Sequence, residues 1–552
     1  MNSESGRPIH PAWFVLAALL LASGAVLLAA QSQMTFIYDD WFFLIHRRGS
    51  GVDAFLDPYN EHIVVSQVAI YKLVLGAFGM DSARPLQVVS DLLVLSCGAL
   101  LFAYARTRVG DWLALVAAAL ILFFGAAWLD LLWPVNLALS GGCAAGLGAL
   151  LALDRDDRAG DIAAVALLAI SVSFSEVGVA FSVGALVAVL LADRPWCRRL
   201  YVGLAPLLVY AAWWAGWGHE ADSSFSLDNV IGSPVYVFDA VSQALAALLG
   251  FATPLSGDAS ELVGINWGRA LLVIAIVLSV LRLRGRPVPT GVWVALAAGA
   301  AFWFSAAFNE NELRPPESAR VLLPSGIFIL LIAAEVLRGL RLGSSGLLVA
   351  AGATAIALGH MSFRDGTTVF ENVSDSVRAD LAAAERTSEA NPNHVLSAFP
   401  WLLPVSTVDY LAAVDDYGGS PAFSEAELLS ASTPARASAD NVFSSALGLR
   451  LEFTPPGRLP AAPSEPGCRT VPASAGGQTP IEFGPGRVDM AGAGAEGTRV
   501  LLTRYSLDAY SVDLGTLPSQ PVTLEVPADR SSQPWLLGLK GEGPVVVCVR
   551  PQ

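Results

Sequence analysis

Between Pro11 and Ala30 the chain runs for twenty residues without a charge. A helix rises about 1.5 Å per residue, so such a run reaches about 30 Å, the thickness of a bilayer's hydrocarbon core. Similar apolar runs recur until about residue 360. Lipid offers no partners to backbone N–H and C=O groups, so these runs can cross only as helices. The whole chain of 552 residues is 54% hydrophobic and only 15% charged. Soluble domains carry about 25% charged residues, and the shortfall fits a membrane protein.

The pattern predicts about eleven spans. After the first they fall at Pro85–Tyr104, Trp112–Trp128, Trp133–Leu153, Ile162–Phe174, Val177–Leu191, Tyr201–Trp217, Trp267–Leu283, Gly291–Phe308, Val321–Leu337 and Gly346–His360. Pro11–Ala30 ends in Leu28-Ala29-Ala30-Gln31 without a clean small-residue cleavage site, which favours an uncleaved anchor. Arginine clusters mark alternate links: Arg106 and Arg108; Arg155 and Arg158; Arg194, Arg198 and Arg199; Arg282, Arg284 and Arg286; Arg338 and Arg341. They fall on the side opposite Asp39 only if His62–Met80 lies along the interface instead of crossing, and Val230–Phe251 is a candidate for a second interfacial helix. Cytoplasmic loops are the ones enriched in arginine. With Arg7 near the start, the N-terminus is expected inside and the C-terminal region outside, in a plasma membrane. Oligomeric state is not legible.

Two domains follow: residues 1–360 in the membrane, with an external loop over 31–83, and residues 361–552 as a soluble extracytoplasmic domain. In the second, apolar runs shorten and Pro, Gly and Ser rise. Ser374–Arg386 reads as an amphipathic helix. Gly448–Phe453, Arg499–Tyr505, Val522–Val526 and Pro544–Val549 read as strands between turns. The fold class is thus a polytopic α-helical membrane protein with an α+β or mainly β C-terminal domain. Of five cysteines, Cys97, Cys143 and Cys197 lie in or beside apolar runs. Cys468 and Cys548 lie in the tail, where an external compartment permits a disulfide.

The net charge of −15 excludes nucleic acid as a partner, because phosphate binding needs clustered Lys and Arg. No GxGxxG or GxxxxGK[ST] cradle for a nucleotide stands at a strand–helix junction, and no CxxC or Cys/His cluster suggests zinc. Chemistry points instead to Tyr38-Asp39-Asp40-Trp41, directly after the first span. Paired carboxylates suit a general base and a neighbour that tunes it. The plainer reading is that one of them caps a helix over Trp41–His46.

Asp39-Asp40-Trp41 after the first span, Asn60-Glu61-His62, and Glu317-Ser318-Ala319-Arg320 before a later one resemble the GT-C superfamily. So does the layout of about eleven spans, a first loop with interfacial helices and an external C-terminal domain. These are integral-membrane glycosyltransferases that use polyprenyl-phosphate sugars, including protein O-mannosyltransferases and actinobacterial arabinofuranosyl- and mannosyltransferases. An actinobacterial source agrees with a chain rich in Ala, Gly and Arg whose only lysines are Lys72 and Lys540. The resemblance implies transfer of a sugar, with inversion, to an external glycan, lipid or protein acceptor. It implies Asp39 as catalytic base, with Asp40 as second choice. The leaving polyprenyl phosphate requires fixed positive charge, and the guanidinium fork suits it. Arg320 is the first candidate, with Arg314 close by. The family's Ser-Arg-Tyr-like sequence reads Ser318-Ala319-Arg320-Val321 here and lacks the aromatic.

Glu61 and His62 are candidate substrate contacts, or simply a polar helix start. Glu176 and Asp130 sit in short links between spans. An acid at membrane depth is costly, about 2.5–3.5 kcal/mol at the centre, and often functional. His46, Arg47 and Arg48 are placed to meet lipid head groups or to anchor their loop. The tail's Phe399, Trp401, Tyr410, Tyr417 and Trp535 can stack on sugar or fill a core. The carboxylates leave room for a divalent cation, although no metal-binding pattern is present. Two other functions fit the same layout: a transporter or flippase of lipid-linked sugars, and a non-catalytic envelope assembly protein whose external domain binds glycan.

Overall fold

The structure is a computed structural model. It describes residues 11–192, 196–221, 223–255, 258–312, 314–340, 346–397, 404–454, 464, 466–474, 480–492, 497–506 and 511–551. Phe399, Trp401, Arg7, Arg194 and Arg341 lie outside the described residues. The helices are α1 (Pro11–Ala30), α2 (Asp40–His46), α3 (Asp53–Leu56), α4 (Val65–Phe78), α5 (Arg84–Val109), α6 (Asp111–Leu122), α7 (Trp128–Leu132), α8 (Leu137–Leu153), α9 (Arg158–Phe174) and α10 (Val177–Leu190). They continue with α11 (Tyr201–Gly216), α12 (Leu227–Leu248), α13 (Ile265–Leu283), α14 (Thr290–Phe308), α15 (Leu322–Val336) and α16 (Gly346–Thr387). A hairpin of β1 (Thr253–Leu255) and β2 (Asp258–Val263) joins α12 to α13. The chain divides into two compact units. The first holds residues 1–32, 47–74 and 84–369; the second holds 33–46, 75–83 and 370–552. The expected external loop over 31–83 is therefore shared between the two units rather than belonging to one.

The first unit is a polytopic helical membrane domain. Among the described residues, nine helical segments are long and apolar enough to cross a bilayer. All but one coincide with an expected span; the exception is α12. Three expected spans correspond to α9, α10 and α11, which have 17, 14 and 16 residues. At 1.5 Å per residue they reach about 21–26 Å, at or below the lower end of the lengths that cross a bilayer core. The expected span over Trp112–Trp128 is also interrupted. α6 stops at Leu122, a 3-10 turn covers Gly125–Ala127, and the short α7 follows. Trp133, before Pro134, takes φ −98° and ψ 114°. The proline ring disfavours helical geometry in the residue before it, so α7 ends there.

Close packing explains how small residues recur in α8. A side chain at Gly141 would strike the Phe174 ring, and one at Gly146 the Phe181 ring. Absent side chains let neighbouring helices approach closely, the usual device inside membranes. α12 takes a different course. Asn229 donates to the Phe308 carbonyl at the end of α14 (3.2 Å), while Tyr236 and Ala240 pack on Ala307. Asn229, Tyr236 and Ala240, spread over about 16 Å of α12, thus all meet the last turn of α14. Elsewhere Glu335, fully buried in α15, accepts from Tyr104 (2.7 Å), Arg108 (2.6 Å) and Arg338 (3.0 Å). That network ties α15 to α5.

In the second unit the last part of α16 is followed by β3 (Val395–Leu396), β4 (Val405–Ser406), α17 (Thr407–Tyr417), α18 (Glu425–Ser430) and α19 (Thr433–Ala446). Ser406 caps α17, and a full capping box with Ser424 and Glu427 opens α18. Then come β5 (Leu451–Phe453), β6 (Cys468–Pro472), β7 (Ile481–Phe483), β8 (Gly486–Gly492), β9 (Arg499–Thr503), β10 (Val512–Thr516), β11 (Val522–Val526), β12 (Trp535–Lys540) and β13 (Pro544–Pro551). They form two antiparallel sheets, in the orders β5-β11-β8-β13-β6 and β10-β9-β12-β7. Val488, Met490, Leu524 and Val547 from one sheet share a core with Leu502, Trp535 and Leu537 from the other. Ala379 and Ala383 of α16 and Phe443 of α19 join it. Cys468 and Cys548 face each other across β6 and β13 and are disulfide-bonded. Trp535 and Tyr410 are fully buried, so they are core residues and not platforms for a sugar.

Candidate functional site

Asp39 and Asp40 lie in the second unit. Tyr38 has φ 47°, a left-handed conformation that is unfavourable for a bulky side chain. It makes a tight turn, closed by the Asp40 amide on the Ile37 carbonyl (3.0 Å) and the Trp41 amide on Tyr38 (3.1 Å). Asp40 is fully buried, and its Oδ2 accepts from the Ile37 amide at 3.0 Å. Trp41 locks the turn: its indole donates to the Phe36 carbonyl (3.1 Å) and meets the Tyr410 ring edge-on at 5.8 Å. Asp39 is half-buried and precedes α2 directly. Asp40 is thus a brace of its own turn, and Asp39 is the more accessible of the two. Backbone strain of this kind gathers at functional positions.

Glu61, His62, Glu176 and Arg314 lie in the first unit, and they converge. They line a cavity of about 120 Å³ together with Tyr210 of α11 and Asn309 after α14. A tight turn presents the first pair: Tyr59 and His62 exchange backbone hydrogen bonds (3.1 and 3.0 Å) around Asn60, which has φ 50°. Asparagine tolerates that conformation. The turn is held from both sides. Arg47, 3% exposed, donates to the Asp57 and Pro58 carbonyls (2.9 and 2.7 Å), and Trp213 of α11 donates to Leu56 (2.7 Å). Arg47 is therefore an internal clamp and not a lipid anchor. His46 packs against the Phe42 ring.

His62 Nδ1 lies 2.9 Å from Glu176 Oε2, with both side chains about one quarter exposed. Arg314 grips Glu61 with both guanidinium nitrogens, the second at 3.3 Å. Burial alone pushes the His62 imidazole down; the Glu176 charge and hydrogen bond, with Glu61 beyond, outweigh it and hold His62 above its ordinary value. Burial also pushes Glu176 up, and His62 overcomes that to hold the carboxylate below its ordinary range. Each partner of the pair thus favours the charged form of the other. In that form two carboxylates, an imidazolium and a guanidinium cancel in charge, leaving a surface of donors and acceptors.

No family model, curated protein or solved structure matches this chain. The site must be read from its own chemistry.

Arg320 stands beside the cavity, next to its lining residue Val321. Its guanidinium lies over the Trp133 ring at 5.9 Å and has no ion-pair partner among the described residues. Asp130 is fully buried, and its Oδ2 accepts from the Leu323 amide at 2.8 Å, capping α15 from another helix. This satisfies a helix N-terminus that its own sequence leaves open. Among the described residues no group of three or more His, Cys, Asp and Glu is placed to hold a metal ion. Tyr210 and Asn309 escaped the sequence reading. Each looks like an ordinary interface residue at a helix end or middle, and nothing in spacing distinguishes it.

Proposed function

We propose that the chain is an integral-membrane glycosyltransferase, of GT-C type, that moves a sugar from a polyprenyl-phosphate donor to an acceptor outside the cytoplasm. The observation that carries this reading is the cavity where Glu61, His62, Glu176, Tyr210, Asn309 and Arg314 converge. Self-neutralised donors and acceptors suit a polyhydroxylated neutral group better than a bare dianion, which would have to displace Glu61 from Arg314. The sugar hydroxyls belong there. Arg320, cationic and without an ion pair among the described residues, is the contact for the donor phosphate.

The resemblance to the GT-C superfamily assigns to Asp39 the proton of the acceptor hydroxyl, taken as that oxygen attacks the anomeric carbon. The bond from that carbon to the phosphate oxygen breaks, and polyprenyl phosphate leaves with the electron pair. Attack opposite the leaving group inverts the centre. The arginine pattern supports an external site. It needs α12 to stay on one side of the membrane, with Asn229, Tyr236 and Ala240 against the end of α14. An actinobacterial envelope glycan, lipid or protein is the acceptor class.

The test uses purified full-length protein in lipid with a polyprenyl-phosphate sugar and an envelope acceptor fraction. Transfer is expected from wild type. Asp39→Asn should lower it at least about 100-fold, the usual contribution of a general base, while the protein stays folded. Arg320→Ala should weaken donor use. Full activity in Asp39→Asn removes the base assignment; no transfer from any lipid-linked sugar removes the enzyme.

A further inference from the structure

A second polar cluster lies inside the first unit, at the junction of α1 and α5. Gln31 ends the first helical run, and Gln87, Ser90 and Asp91 lie on α5. Residues three and four apart share a helix face, so these three point the same way. Gln31 Nε2 reaches Asp91 Oδ1 at 3.2 Å, which fixes the face toward α1. All four residues are at least 97% buried. Five of their polar atoms nevertheless have no hydrogen-bond partner among the described residues: Gln31 Oε1, Gln87 Oε1 and Nε2, Ser90 Oγ and Asp91 Oδ2.

An unsatisfied buried polar group destabilises by about 1–3 kcal/mol. Five together, buried where α1 meets α5, call for a bound polar species. The chemistry of the donors narrows it. Four of the five atoms are oxygens, one from a carboxylate and three neutral. Hard cations prefer oxygen ligands, and a divalent ion is usually held by more than one carboxylate. Arg84 is two turns away along α5, about 10 Å, and donates to the Leu28 carbonyl. Among the described residues Asp91 has no ion-pair partner, and the Arg84 charge acts on it only from farther off.

We propose that Gln31, Gln87, Ser90 and Asp91 form a site for a small monovalent cation, held by one carboxylate and neutral oxygens where α1 meets α5. The ion ties the end of the first helix to the next long one. The site is separate from the sugar cavity and does not depend on the glycosyltransferase reading.

The test is saturable binding of radiolabelled sodium to the purified full-length protein in detergent, with thermal unfolding in sodium chloride against choline chloride at equal ionic strength. Wild type should bind sodium, lose the label to excess unlabelled sodium, and unfold a few degrees higher in sodium. Asp91→Asn and Gln87→Leu should abolish both effects. No saturable binding by wild type overturns the proposal and leaves a protonated Asp91 or ordered water in the cluster. Equal binding by wild type and Asp91→Asn overturns it as well. If Asp91→Asn does not fold, wild-type binding and Gln87→Leu decide.

Discussion

Asp40 Oδ2 is the acceptor for the buried Ile37 amide. Asp40→Ala leaves that N–H without a partner, a loss of about 1–3 kcal/mol, and chemical denaturation should show it. Asp39→Asn should leave stability within about 0.5 kcal/mol, as substitutions outside the core usually do. The contrast separates brace from base. A sequence cannot make that distinction, because adjacent acids look alike until the turn at Tyr38 decides which one faces inward. His62 and Glu176 give a second residue-scale prediction. Glu176 is held below its ordinary 4.5, so its stabilising contribution is full above that value and fades as pH falls through its lowered one. His62 is held above its ordinary 6.5, so its contribution is full below that value and fades as pH rises through its raised one. The pair should therefore stabilise most between about pH 4.5 and 6.5. Thermal unfolding across pH should lose that maximum in Glu176→Gln. That these two residues meet was beyond the sequence: 114 positions separate them, and only the fold brings the turn at Asn60 to the link before α10.

At the scale of elements, hydropathy located nearly every long span but not the interruptions within them. A run such as residues 111–132 is apolar throughout, and what breaks it is local backbone geometry before Pro134 and around Gly125. α12 shows the opposite limit. It is long and apolar enough to cross, and its Asn229, Tyr236 and Ala240 meet the last turn of α14. Composition measures what a helix tolerates, and packing sets where it lies. α15 offers a test of packing energetics. Glu335→Ala removes one of the two carboxylates on the buried Arg108 guanidinium, which keeps Asp154 at 2.9 Å, and takes the acceptor from the Tyr104 hydroxyl, a loss of about 1–3 kcal/mol. Thermal unfolding in detergent should fall accordingly. A smaller loss is expected for Glu335→Gln, which keeps an acceptor for Tyr104.

On the whole-molecule scale, composition separated the membrane part from the tail, because lipid and water select different residues. The strands β11 and β13 were visible from alternation between turns. The assignment of residues 33–46 and 75–83 to the second unit was not visible, since nothing local marks a segment whose partners lie hundreds of residues away. The disulfide also acts at this scale. Cys468 fastens β6, at the edge of its sheet, to β13 across 80 residues. Removing a bridge of that kind typically destabilises by about 2–4 kcal/mol. Cys468→Ser, or reductant, should speed proteolysis within residues 464–551.

One contact of the second unit has a consequence in time. The Thr35 amide donates to the Ser374 hydroxyl, 339 residues later, and Trp41 meets Tyr410. Ribosomes add about 5–20 residues per second, so Asp39 waits roughly 17–70 seconds between its own synthesis and that of its turn's partners. During that interval the first helices can insert while the acidic turn remains unassembled. A chain released early keeps Asp39 without the contacts that hold its turn, so completion of the second unit sets when that turn can form.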